Sequence, residues 1–281
     1  MNASMDHETR SLPSRPSRGS APTHRGSIRG LLDTLFGESA TPLTSWRAES
    51  AGSWATDEGH YRLPRLAFTP PAGEPAIKLA IFAGIHGDEP AGIHALCDLV
   101  RSLDALPSLA RQYSIHVYPL CNPTGCEDGT RHSRSGRDLN REFWRGSNEP
   151  EVQLLEREIE RQRYDGLIAL HSDDTSDGLY GFVRGATLTE HLLKPALAAA
   201  AELLPVNHEP TIDGFHAVNG IIHSAYDGIL SSPPGTNPAP FEIILESPAL
   251  APMALQRAAL LFAVTEIIRH YRRLIAYGAD L

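Results

Sequence analysis

The chain has 281 residues, 41% of them hydrophobic, and a net charge of -9. It can therefore bury one large core, while its acidic balance argues against a nucleic-acid-binding body. Its three cysteines, Cys97, Cys121 and Cys126, exclude a disulfide framework and a thiolate zinc cluster; reduced thiols in a cytoplasmic protein are the expectation.

Residues 1–30 are rich in Ser, Pro, Gly and Arg and read as a disordered basic arm, a solvated tail without the apolar core of a signal peptide. Residues 31–59 read as an N-terminal extension, where RGLLDTLFG (29–37) suggests a short helix docked on the body. From 60 to 281 one folded domain is expected, with strand-like and helix-like segments alternating. YRLPRLAFT and the continuous apolar run IKLAIFAGI are strands. Asp88 or Glu89 opens a helix whose Ile93, Leu96, Cys97 and Val100 share one face, with Pro90 in its first turn. YSIHVYPL is the next strand, followed by a long Gly-rich polar segment (121–147) of the kind that carries function. NEPEVQLLEREIERQR is an amphipathic helix with Asn148 as its N-cap. DGLIALHS is a buried strand, LTEHLLKPALAAAAELL a helix, PFEIILESP a strand, and the chain closes in a long helix from about residue 251. No apolar stretch is long enough to span a bilayer. The alternation implies an α/β fold with a mixed, largely parallel sheet flanked by helices.

His86, His171 and Glu246 each fall at the trailing end of a strand, where open α/β sheets keep their chemistry. His86 and Glu89 stand three positions apart at a strand-to-helix junction, a weak signal alone. With His171 they make the two-imidazole, one-carboxylate set of a catalytic zinc, which leaves one position open for water. Glu246 is the candidate general base and acid, favoured over Glu242 because it lies nearer its strand end. Arg131 is the candidate cation for a developing oxyanion. Asn140 and Arg141 together suit a substrate carboxylate. Asp173 and Asp174 are read as groups that orient a histidine, and Arg134 and Arg137 as solvated loop charges.

Taken in order, His86-Gly-Asp-Glu89, Asn122-Pro-Thr-Gly125, Gly129-Thr-Arg131, Asp138-Leu-Asn-Arg-Glu-Phe143, His171 and Glu246 resemble the zinc carboxypeptidase superfamily of metallopeptidases. The likeness extends to its murein peptide amidase and aspartoacylase–succinylglutamate desuccinylase branches and covers roughly residues 60–275. It implies a single-domain carboxypeptidase-like sandwich, making 60–281 the catalytic domain. It implies one zinc held by His86, Glu89 and His171, with Arg131 polarising the scissile carbonyl. Asn140 and Arg141 would clamp a terminal carboxylate, Glu246 would move the proton, and Tyr226 would close over the substrate. Thr124 departs from the family's Asp at that place and is expected to alter a turn only.

The implied substrate is a small peptide, a murein-derived one being the leading case, cleaved at an amide beside a free carboxylate. The alternative is an N-acyl amino acid, and a rival of another class is a non-catalytic binding protein on this fold. LSSPPGTNPAP is expected to line the side-chain pocket without a fixed charge. The acidic run HSDDTSDG is expected to meet an ammonium group.

Overall fold

Ten strands form one sheet in the order β1-β2-β4-β3-β5-β10-β6-β9-β8-β7. They belong to a computed structural model that describes residues 25–36, 43–69 and 77–277. The strands are β1 (Trp46–Thr56), β2 (Gly59–Phe68), β3 (Ile77–Ala83), β4 (Tyr113–Tyr118), β5 (Gly166–Asp173), β6 (Tyr180–Val183), β7 (Thr211–Ile212), β8 (Phe215–Val218), β9 (Ile221–Ile222) and β10 (Phe241–Pro248). The centre, β4-β3-β5-β10, is parallel. On its flanks, β2 joins β4 and β6 joins β10 antiparallel. The expected α/β architecture holds, with the parallel ladders concentrated in this middle and one short further parallel pair between β6 and β9.

Strands buried on both faces must be apolar throughout, and Leu79–Ala83 of β3 and Gly166–Ser172 of β5 are buried at every position. One face is covered by α1 (Arg25–Phe36), α2 (Pro90–Ala105), α6 (Lys194–Ala200) and α7 (Met253–Tyr277). The other carries α4 (Pro150–Gln162), with Leu139, Phe143, Val152 and Leu155 in its core, and α3 (Pro123–Asp128) packs against β2. Ile93, Leu96, Cys97 and Val100 form the buried face of α2. Gly92 lets that helix close on the sheet: a Cβ there would stand 3.0 Å from the Leu170 Cβ and 3.1 Å from that of Ala83.

Several local expectations change. Residues 1–24 of the arm lie outside the described residues, but α1 begins at Arg25, inside the segment read as disordered. Leu35 docks this helix in the core, and Arg101 donates to Thr34 Oγ1 at 2.6 Å. The extension supplies β1, hydrogen-bonded to β2 along its whole length. WRAESAGSWAT lacks a clean apolar alternation because most of its residues are exposed or half-buried. Glu149 rather than Asn148 is the N-cap of α4, with Pro150 at the first helical position. The helix read across 188–204 is interrupted: α5 (Ala186–Leu188) leads into a π-turn (Thr189–Leu193) before α6. Pro195 has no N–H for a continuous ladder. Among the described residues no helix is long and apolar enough to cross a membrane.

Candidate metal and substrate site

The parallel register puts His171 of β5 directly beside Glu246 of β10, and β3, on the other side of β5, leads into His86. Glu89 is the N-cap of α2, yet its side chain makes no capping bond. It is turned instead to the two histidines. One carboxylate oxygen lies 2.6 Å from His86 Nδ1 and the other 2.9 Å from His171 Nδ1. Ser172 N donates to the second oxygen at 3.2 Å.

All three side chains are buried. Burial by itself would raise the Glu89 pKa, but His171 and His86 draw it down to about 2. Burial lowers the His171 pKa, whereas Glu89 and Asp138 outweigh burial at His86 and raise its value.

This geometry fits a metal. Two nitrogens bound about 2.0–2.1 Å from a tetrahedral zinc lie about 3.3 Å apart, and the two Nδ1 atoms are 3.2 Å apart. Among the described residues, His86, Glu89 and His171 are the cluster able to hold an ion.

Asp138 is the group sequence reading passed over. Its Oδ1 lies 3.1 Å from His86 Nε2 and accepts from Asn140 N at 3.0 Å, while its Oδ2 accepts from Arg131 Nε at 3.2 Å. It therefore orients the His86 ring, as the outer partners of metal-binding histidines do. Asp173, expected in that task, accepts instead from Thr175 N, Thr175 Oγ1 and Tyr180 Oη. The signal was the Asp that opens Asp-Leu-Asn-Arg; its reach back to His86 is a tertiary contact.

Glu246 is half-buried on the same cleft, and burial together with Glu89, Asp173 and Asp213 pushes its pKa well above the usual carboxylate range, with Arg131 opposing. Glu242 is not its equal: it accepts from Ser232 N and Oγ away from the cleft. Arg131 also sits 3.4 Å from Glu89 Oε1. Its side chain is 42% exposed, so these pairs orient it more than they stabilise the fold.

The loop carrying Arg131 is held tightly. Asn122 Nδ2 donates to the carbonyls of Ile85 and Arg131, and Asn122 Oδ1 accepts from Gly125 N. Gly87 meets Gly125 so closely that a Cβ on Gly87 would lie 2.0 Å from the Gly125 carbonyl carbon. Thr124 does more than shape a turn: buried, it bonds Asn122 and Glu151 and accepts from Arg134 N. Arg134 is not a solvated charge either, since it clasps Glu58, Glu127 and Asp128 at once.

Across the cleft, Asn140 Oδ1 accepts from Leu230 N at 2.9 Å, leaving its Nδ2 to offer a ligand. The Arg141 guanidinium lies over the Tyr226 ring at 4.0 Å, and the Tyr226 hydroxyl donates to the Asp213 carbonyl at 2.8 Å. All the sequence-named site residues line one cleft of about 990 Å³. Residues 230–240 do not line it, contrary to expectation; Phe182, Ile229, Ile244, Leu250 and Met253 contribute apolar lining, and Asp173, Asp174 and Asp213 add negative charge.

A family profile described as the succinylglutamate desuccinylase/aspartoacylase catalytic domain matches residues 75–217. Murein peptide amidase A of Escherichia coli (strain K12) is 41% identical over 106 residues, 36% of this chain and 41% of the amidase. The match thus spans about two fifths of that curated relative. Among solved structures, a Shewanella baltica OS155 protein designated a metallopeptidase superposes with a TM-score of 0.70 at 22% identity, over 88% of this chain and 92% of that one. A metallo-carboxypeptidase from Burkholderia cenocepacia gives 0.67 at 17%, over 89% and 68%. The murein-tripeptide amidase of Escherichia coli O157 gives 0.54 at 24%, over 82% and 94%. At these identities the structural likeness speaks for the fold alone.

Proposed function

This chain belongs to the succinylglutamate desuccinylase/aspartoacylase catalytic-domain family, and on that premise we propose that it is a zinc-dependent hydrolase of the carboxypeptidase type. Its bond is an amide beside a free carboxylate, in a small peptide of the murein-derived kind. The observation that carries the reading is the pair of Nδ1 atoms 3.2 Å apart, bracketed by one carboxylate, in a cleft also lined by Glu246, Arg131 and Arg141.

His86, Glu89 and His171 would hold about one zinc per chain. A zinc held there would supply Lewis acidity and lower the pKa of a water toward neutral. Glu246 would take a proton from the water whose oxygen adds to the carbonyl carbon, and return it to the amine as the C–N bond breaks. Arg131, aimed by Asp138, meets the charge that develops on the carbonyl oxygen. Arg141, flattened against Tyr226, presents its free edge to the substrate carboxylate beside Asn140 Nδ2. Tyr226 covers the guanidinium and borders the substrate space.

The second reading, an N-acyl amino acid deacylase, is favoured by the family match itself. Against it, Asp173, Asp174 and Asp213 oppose an anionic acyl group such as succinyl and suit an ammonium group.

Elemental analysis of wild type, His86→Ala and His171→Ala is the direct test. About one zinc per chain in wild type and its loss from both variants are expected. Short peptides assayed beside N-acetyl and N-succinyl amino acids then separate the two substrates, with turnover of the peptides expected. Wild type that takes up no zinc on reconstitution sinks the hydrolase and leaves a non-catalytic binding protein.

A further inference from the structure

Helix α7 buries a stripe that starts at Gln256 and continues through Ala259, Leu260, Ala263 and Val264 to Ile268. The spacing is that of a core-facing helix, and every later position in the stripe is apolar. Gln256 breaks the pattern, at 3% exposure. A primary amide buried there is destabilising unless its groups are all bonded.

They are bonded, and the partners point to the metal site. Gln256 Nε2 donates to the carbonyls of Ala249 at 3.1 Å and Ala251 at 2.7 Å. Its Oε1 accepts from Ser247 Oγ at 3.1 Å and Ser172 Oγ at 3.3 Å. Ser172 follows the ligand His171, Ser247 follows Glu246, and the two serines are paired in register across β5 and β10. Their hydroxyls are 2.9 Å apart, Ser247 Oγ also reaches the His171 carbonyl at 3.4 Å, and Ser172 N holds Glu89. The next paired residue, Pro248, has no N–H to give either neighbouring strand. Where the backbone loses a donor, a side-chain network joins the two strand ends.

We infer that Gln256 is a positioning residue, which through Ser172 and Ser247 holds the His171 strand end and the Glu246 strand end in register around the metal. This rests on the metal-site reading above. The amide uses both donors and two acceptor positions within the protein, so its effect passes through its neighbours. A Leu or Met of similar volume would fill the stripe without joining the strands, so packing alone does not call for Gln.

The test is Gln256→Met, which keeps the volume and removes the four bonds, with Ser247→Ala as a milder second variant. Zn2+ affinity is read by competition with a chromogenic chelator, and ligand geometry by the visible absorption of the Co2+ form. The expected result is about 10-fold weaker zinc binding and a shifted Co2+ spectrum in each. The double variant is expected to lose little more than either single one, because the groups act as a unit. Affinity within twofold of wild type and an unchanged Co2+ spectrum, even with a lowered melting temperature, would reduce Gln256 to a core amide and overturn the inference while the site reading stands. Wild type that binds neither ion overturns both.

Discussion

The corner of the cleft that gathers His86, Glu89, His171 and Glu246 and the wall that carries Arg131, Asn140, Arg141 and Tyr226 are built in different ways. His171 and Glu246 sit on adjacent parallel strands, and His86 and Glu89 follow the strand on the other side of β5. Arg131, Asn140, Arg141 and Tyr226 lie on the connections around 121–147 and 223–230, fastened loop to loop by Leu230 N on Asn140 and by the ring of Tyr226 under Arg141. Backbone ladders fix atoms to fractions of an ångström, the tolerance of metal coordination. Loops held by a few hydrogen bonds adapt to the shape of a substrate. Under the proposed function, the corner would serve chemistry and the wall recognition.

Substitutions on each side should separate these roles. Glu246→Gln keeps the shape and removes the proposed base; kcat is expected to fall by about 10^3-fold with bound zinc and KM nearly unchanged. Loss of zinc in that variant would move Glu246 from proton transfer to metal binding. Arg141→Ala should act in the opposite sense, raising KM by about 10- to 100-fold, the worth of a charged hydrogen bond, with kcat changed only a few-fold. A kcat loss as large as that of Glu246→Gln would break the division between corner and wall. Tyr226→Phe keeps the ring against Arg141 and removes only the bond to the Asp213 carbonyl; KM within about twofold of wild type is expected, and a larger rise would mean that the hydroxyl meets the substrate.

The corner was more legible than its surroundings. His86 and Glu89 are neighbours in sequence, and a strand-to-helix junction announces their place. His171 and Glu246 end strongly apolar runs, whose burial on both faces leaves little choice of position. Asp138, Ser172, Ser247 and Gln256 carry no such mark. Each is an ordinary polar residue until the fold brings it against a ligand or a strand end. β1 escaped because an edge strand facing water need not alternate, and the N-cap of α4 shifted by one because Pro150 takes the first helical position. Arg134 read as solvent-facing because its partners Glu58, Glu127 and Asp128 meet only when the β1–β2 hairpin packs against α3.

The order of the motifs, the apolar strands and the short spacing of His86 and Glu89 were determined by sequence alone, because local geometry and burial constrain residue type directly. The tertiary structure decided which carboxylate aims His86, which loops form the wall of the cleft, and how an amide on the last helix reaches two strand ends. Those contacts join residues tens to more than a hundred positions apart, and no local pattern in the chain encodes such distances.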